Sequence, residues 1–269
     1  MILVMDVGNL EMLLGVVEGK ELKGSWKMTT DSSKTSDEIG STLVRFLRFD
    51  GILPAEIEDV VISSVVPPMM YALVRGVEKY LGVTPLVVDY QIKSNIIINM
   101  KNPAELASDR LVKMMAAFAL YGGPVMVVDY GTATTYDVVD REGHFVTGIT
   151  APGVTVCAES LSSKTAQLPE IEIKRPESIF CRDIVSCIQA GVYYGHVGEA
   201  KYLIDRVKRE LDLPDMKVVA TGGLAHVMNE GNDLFDVIDS TLTIRGLAIC
   251  YEQNKDEMHG RRGQDGSGR

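Results

Sequence analysis

Two short stretches of this chain place a carboxylate and a glycine where they could handle phosphate. Ile2-Leu3-Val4-Met5-Asp6-Val7-Gly8-Asn9 opens the sequence, and Val125-Met126-Val127-Val128-Asp129-Tyr130-Gly131-Thr132 repeats the pattern near its middle. Each is an apolar run of strand length that ends in Asp-x-Gly and a small polar residue. A buried strand that delivers an acid and then turns on glycine presents a metal-binding oxygen and backbone N–H groups together. A third strand–glycine element, Lys217-Val218-Val219-Ala220-Thr221-Gly222-Gly223, follows. One Asp-x-Gly is weak evidence, because Asp and Gly commonly end strands. Two copies and a Thr-Gly-Gly loop in this order point to two related half-domains closing on a nucleotide.

The elements that must position these loops follow from periodicity. A hairpin turning at Glu18-Gly19-Lys20, a strand from Trp26 to Thr30 and a helix from Asp37 to Phe49 come after the first loop. A strand at 60–66 is stopped by Pro67-Pro68, and a helix at 69–81 and a strand at 85–89 follow. The spacing predicts a helix over 103–121, with Leu111, Met114, Met115 and Phe118 on one face and Gly122-Gly123 ending it. Asp109 falls opposite that stripe, as an exposed helical acid or as a carboxylate aimed into a cleft. The second half restarts with strands at 125–129, 134–140 and 145–149 and helices near 153–164 and 182–211. The fold class is therefore α/β. The expected division is residues 1–118, residues 119–254, and a polar, glycine-rich disordered tail at 255–269.

Composition narrows the partners. A net charge of −10 argues against nucleic acid and against an anionic membrane surface. The N-terminal segment does not read as a signal peptide, since Asp6 and Glu11 interrupt it, and no uncharged run has membrane-span length. The four cysteines (Cys157, Cys181, Cys187, Cys250) form no CxxC pair, which leaves free thiols in a reducing cytoplasm as the expectation. There is no P-loop, no GxGxxG fingerprint and no HExxH.

The loop order resembles the actin, hexokinase and Hsp70 group, with its ribonuclease H-like halves and a nucleotide cleft between them. The chain more closely resembles the type III pantothenate kinases, from residue 1 to about 254. Asp6-Val7-Gly8-Asn9, Ser108-Asp109-Arg110-Leu111, Asp129-Tyr130-Gly131-Thr132-Ala133-Thr134-Thr135 and Ala151-Pro152-Gly153 carry the match. Gln189-Ala190-Gly191, Thr221-Gly222-Gly223-Leu224-Ala225 and Leu242-Thr243-Ile244-Arg245-Gly246-Leu247 support it.

The resemblance implies ATP-dependent phosphorylation of pantothenate, the step that starts coenzyme A synthesis. It implies ATP contacts from Asp6, Val7, Gly8, Asn9, Leu10, Gly131, Thr132, Gly222 and Gly223. Asp6 would organise Mg²⁺, Asp129 would hold a monovalent cation (K⁺ or NH₄⁺), and Asp109 would be the general base. Arg110 would clamp the acceptor's carboxylate. Met100, Ala107, Ser108 and Ile184 would line the acceptor pocket. A cytoplasmic homodimer is expected, with a heterodimer with a related chain also open.

Several positions depart from that family's pattern. Leu10 stands where Thr or Ser would bond a phosphate, a loss of about 1.5–3 kcal/mol for a hydrogen bond to a charged group. Glu11 follows it and adds negative charge. Ala107-Ser108 replaces Gly-Ala, Met100 an aromatic, Ile184 a Thr, and Lys113 an Asn. Two readings stay open: an independent kinase, or a divergent paralogue that acts within a hetero-oligomeric kinase or as a non-catalytic binding module.

Overall fold

The computed structural model describes residues 1–265, with side chains described through Met258. The chain divides into two compact units, Met1–Ala116 with the C-terminal segment from Leu242, and Ala117–Thr241.

The first unit is built on a sheet in the order β3-β2-β1-β4-β5. Its strands are β1 (Ile2–Val7), β2 (Glu11–Glu18), β3 (Glu21–Thr29), β4 (Asp59–Ser64) and β5 (Leu86–Val87). β1 runs antiparallel to β2 and parallel to β4, and helices cover both of its faces, so it reads as a continuous apolar run. Leu3, Met5 and Val7 join Met12, Leu14, Val60 and Ile62 in a core with helices α1 (Ser36–Phe49) and α2 (Met70–Leu81). Thr35 and Glu38 start α1 with a reciprocal capping box, and Gly82 in the left-handed region ends α2.

The alternate residues of β1, including Val4 and Asp6, face the other side. The C-terminal helix packs on that side. Gly15, opposite Val4 in the ladder, lies against the Ile244 side chain, and Tyr251 donates to Asp59 Oδ2 at 2.7 Å. A two-residue strand β6 (Ile97–Ile98) and helix α3 (Ser108–Tyr121) complete the stretch before the second unit.

The second unit repeats the plan. β7 (Val125–Tyr130), β8 (Ala133–Val139) and β9 (His144–Pro152) form an antiparallel meander. β10 (Lys217–Gly222) then pairs parallel with β7, and β11 (Val237–Ile238) parallel with β10. Helices α4 (Val154–Lys164), α5 (Ile184–Glu210) and α6 (Ala225–Asn229) cover one face, over a core that includes Met126, Val128, Tyr136, Val138, Ile188, Tyr193 and Val218. In each unit the central strand has an antiparallel neighbour on one side and a parallel one on the other. In each, an aspartate is its penultimate residue.

Three expectations need correction. Residues 242–254 belong to the first unit, because Leu242, Leu247, Cys250 and Tyr251 of helix α7 (Leu242–Asp265) are buried there. Residues 255–265, expected to be disordered, continue that helix, and residues 266–269 lie outside the described residues. Asn254 anchors the helix by accepting the Lys93 N–H and donating to the Lys93 carbonyl. Finally, the helix expected over 103–121 is two elements. Pro103–Glu105 form one 3₁₀ turn, Leu106 is extended, and the α-helix begins at Ser108.

Candidate functional site

In the first unit, Asp6 stands half-buried at the end of β1, followed by the Gly8-Asn9-Leu10 loop. Gly8 N–H donates to the Glu11 carbonyl at 3.0 Å, which closes the loop into a tight turn. Thr30, just past β3, braces it from outside. Its N–H donates to the Leu10 carbonyl at 2.9 Å and its hydroxyl to the Gly8 carbonyl at 2.6 Å. Leu10 is exposed at the tip, and the Glu11 carboxylate is tied to Lys27 of β3 at 2.8 Å. The negative charge that the sequence places beside the expected phosphate loop is thus paired with a lysine across the β2–β3 ladder.

The start of α3 is pinned to the same sheet. Ser63 of β4 lies beside Asp6 in register, and its hydroxyl is 3.0 Å from the Ser108 hydroxyl. Ser108 also accepts the Ser64 N–H at 3.2 Å. Asp6, Ser63 and the first turn of α3 are therefore joined at the ends of β1 and β4, and Asp109 and Arg110 follow directly on Ser108. Asp109 is mostly enclosed and bonds Lys113 Nζ through Oδ2 at 2.7 Å. Burial by itself would raise the Asp109 carboxyl. The Lys113 ammonium and the Arg110 N–H outweigh burial and hold the carboxyl below its ordinary range. Further along α3, Val112 is crossed by α7 at Gly246, where a Cβ would collide with the Val112 carbonyl.

In the second unit, Asp129 occupies the corresponding place on β7, beside Thr135 of β8 and Thr221 of β10. Gly131 N–H donates to the Ala133 carbonyl at 3.2 Å, and Gly153 N–H to the Thr132 carbonyl at 3.1 Å. The Ala151-Pro152-Gly153 stretch thereby holds the Asp129 loop from the end of β9. Gly222 has a φ of +90° and presses so close that a Cβ would stand 2.7 Å from Asp129 Oδ1. Thr132 and Gly223 are exposed at the rim.

The structure thus collects the predicted residues into two groups. Asp6 to Leu10, Ala107, Ser108, Asp109 and Arg110 form one; Asp129, Gly131, Thr132, Gly222 and Gly223 form the other. Neither Met100, half-buried after β6, nor Ile184, exposed at the start of α5, is tied to either group by strand register. Sequence reasoning missed Thr30 and Ser63. Nothing local marks them, since their roles arise from strand pairing.

Among the described residues, no helix is long and apolar enough to cross a membrane. All four cysteines are free. The one group of candidate metal ligands found there, Asp140, Glu142 and His144, sits at the β8–β9 turn, away from both site groups in the chain.

Solved structures define the class. A ROK family glucokinase from Streptomyces griseus in complex with glucose and AMPPNP covers 93% of this chain and 98% of its own, with a TM-score of 0.54 at 11% identity. The activator of 2-hydroxyisocaproyl-CoA dehydratase from Clostridium difficile, with bound ADPNP, covers 98% and 97%, with a TM-score of 0.52 at 13% identity. These likenesses show the fold, that of the two-domain, actin-like ATPases. Sequence gives the family. Residues 2–206 match the model of the type III pantothenate kinases. A type III pantothenate kinase of Agathobacter rectalis is 44% identical over 256 residues, 95% of this chain and 98% of that relative. The chain belongs to the type III pantothenate kinase family.

Proposed function

We propose that this protein transfers the γ-phosphoryl group of ATP to the primary hydroxyl of pantothenate, giving 4′-phosphopantothenate and ADP, with Asp109 as the general base. The acceptor oxygen forms the new P–O bond, the bond to the ADP oxygen breaks, and the hydroxyl proton passes to Asp109. Reactions of this kind need positioning and charge neutralisation more than covalent chemistry. The observation that carries the reading is the link from Asp6 through Ser63 and Ser108 to Asp109. It joins a phosphate-loop acid to a carboxylate that is ionised at neutral pH.

In this reading the turn closed by Gly8 receives phosphate oxygens through the backbone N–H groups of Asn9 and Leu10, while Arg110 orients the acceptor carboxylate. Thr132, Gly131, Gly222 and Gly223 contact the nucleotide from the second unit. The donor sets suit hard cations, because Asp6 and Asp129 offer only carboxylate oxygens. Asp6 would hold Mg²⁺ and Asp129 K⁺ or NH₄⁺, and these ions would supply neutralisation of phosphate charge. The bracing of the first loop by Thr30 supports activity without a second kind of chain. A cytoplasmic homodimer completes the proposal, with Met100, Ala107, Ser108 and Ile184 lining the acceptor pocket.

The test is direct. Purified protein given ATP, Mg²⁺, K⁺ and pantothenate should form phosphopantothenate, and Asp109→Asn should lower kcat about 10²-fold or more with KM for ATP little changed. Absence of product from the wild-type protein would overturn the proposal.

A further inference from the structure

Lys113 is an unexpected residue where it stands. Its neighbours Leu111, Val112, Met114 and Met115 are all buried, and its own side chain is only 8% exposed. An ammonium enclosed to that extent costs several kcal/mol unless a well-placed partner compensates it. One such partner is Asp109, one helical turn earlier, at 2.7 Å through Oδ2. Acid before base at i, i+4 is the favourable order on a helix. Surface pairs of the same unit, such as Arg75–Glu78 and Lys79–Asp37, have cations more than half exposed, where an ion pair is worth little.

We propose that Lys113 is a positioning residue for phosphoryl transfer, whose buried ammonium fixes the Asp109 carboxylate in the orientation from which it takes the acceptor proton. The proposal rests on the reading of Asp109 as the base. The geometry supplies two effects. A carboxylate held by a buried, directional partner loses the rotamer freedom that a free aspartate would have at the start of a helix. A base misplaced by even 1 Å loses rate steeply, whereas ground-state binding of substrates elsewhere is unaffected. The turn of α3 that carries Lys113 is packed against α7, which crosses at Val112 with Gly246 against the Val112 carbonyl.

The test is a double-mutant cycle on the full chain, read as kcat and KM separately. Lys113→Met keeps the stem and removes the ammonium. It should lower kcat about 10- to 100-fold while KM for ATP and pantothenate stays within about threefold, the split expected for loss of a transition-state interaction. Lys113→Arg should recover a large part of the loss. In the Asp109→Asn background, Lys113→Met should cost less than about twofold, because the group it positions is already gone.

Unchanged kcat in a folded Lys113→Met protein, or an equal loss in the Asp109→Asn background, overturns the proposal. If Asp109→Asn keeps wild-type kcat, the base assignment fails instead. If Lys113→Met does not fold, Lys113→Gln, which keeps a hydrogen-bond donor without charge, is read the same way. If neither folds, the ammonium serves stability and the proposal is wrong.

Discussion

The Ser108 hydroxyl accepts the backbone N–H of Ser64 at 3.2 Å and meets the Ser63 hydroxyl at 3.0 Å, which fastens the first turn of α3 to the end of β4. Ser108 and Ser63 are both buried, so no water replaces what is lost if the hydroxyl is removed. Ser108→Ala should cost about 1–3 kcal/mol, the penalty for leaving buried polar groups unsatisfied. A lower urea midpoint with an unchanged slope would report this. Where the variant is still folded, kcat should also fall several-fold, because Asp109 and Arg110 ride on the same turn. A Ser108→Ala protein with wild-type stability and rate would show that the clamp is dispensable.

Gly246 sets how closely α7 approaches α3. A Cβ there meets the Val112 carbonyl oxygen, with the Val112 Cγ1 at 2.7 Å and its carbonyl carbon at 2.9 Å. Alanine normally stabilises a helix interior by about 1 kcal/mol over glycine. Here overpacking, typically about 1–3 kcal/mol and felt on backbone that cannot yield, should win. Gly246→Ala is expected to lower the thermal midpoint and, by displacing α3, kcat. A rise in the midpoint would show that the helices separate at no cost.

His196 of α5 is buried, and its Nδ1 has no hydrogen-bond partner. Burial pushes its pKa below the ordinary value of 6.5, with Glu199 opposing that shift. The unfolded chain therefore binds the proton more readily than the folded one. The resulting stability is complete above pH 6.5 and is lost as pH falls through the depressed folded value, about 1.4 kcal/mol per unit of depression. His196→Leu should be less sensitive than wild type to a drop from pH 7.5 to 5.5 in urea midpoint. Equal sensitivity would assign the acid slope to carboxylates instead.

Much of this was legible in the chain. The repeated strand–Asp–x–Gly pattern announced two units, and the structure places both aspartates at the penultimate position of a central strand flanked in the same way. Periodicity located α1, α2 and α5 to within a residue or two, because their apolar faces are local patterns. It failed at Leu106, where the chain changes direction between two helical pieces, and at α7, whose destination depends on which sheet has a bare face.

What the sequence by itself determined is the family and the candidate residues: Asp6, Asp129 and the glycines marked by type and spacing, Asp109 and Arg110 by the motif that carries the family resemblance. Only the tertiary structure decided what those residues touch. Glu11 reads as a threat to phosphate until the β2–β3 ladder sets Lys27 against it. Ser108 reads as drift until β4 supplies two partners for its hydroxyl. Lys113 reads as a lost amide until the enclosure of its turn makes it the cation that holds Asp109. The physical reason is the same in each case. A residue's type sets which interactions it can make, but burial and partner geometry set their strength, and both come from segments far away in the chain.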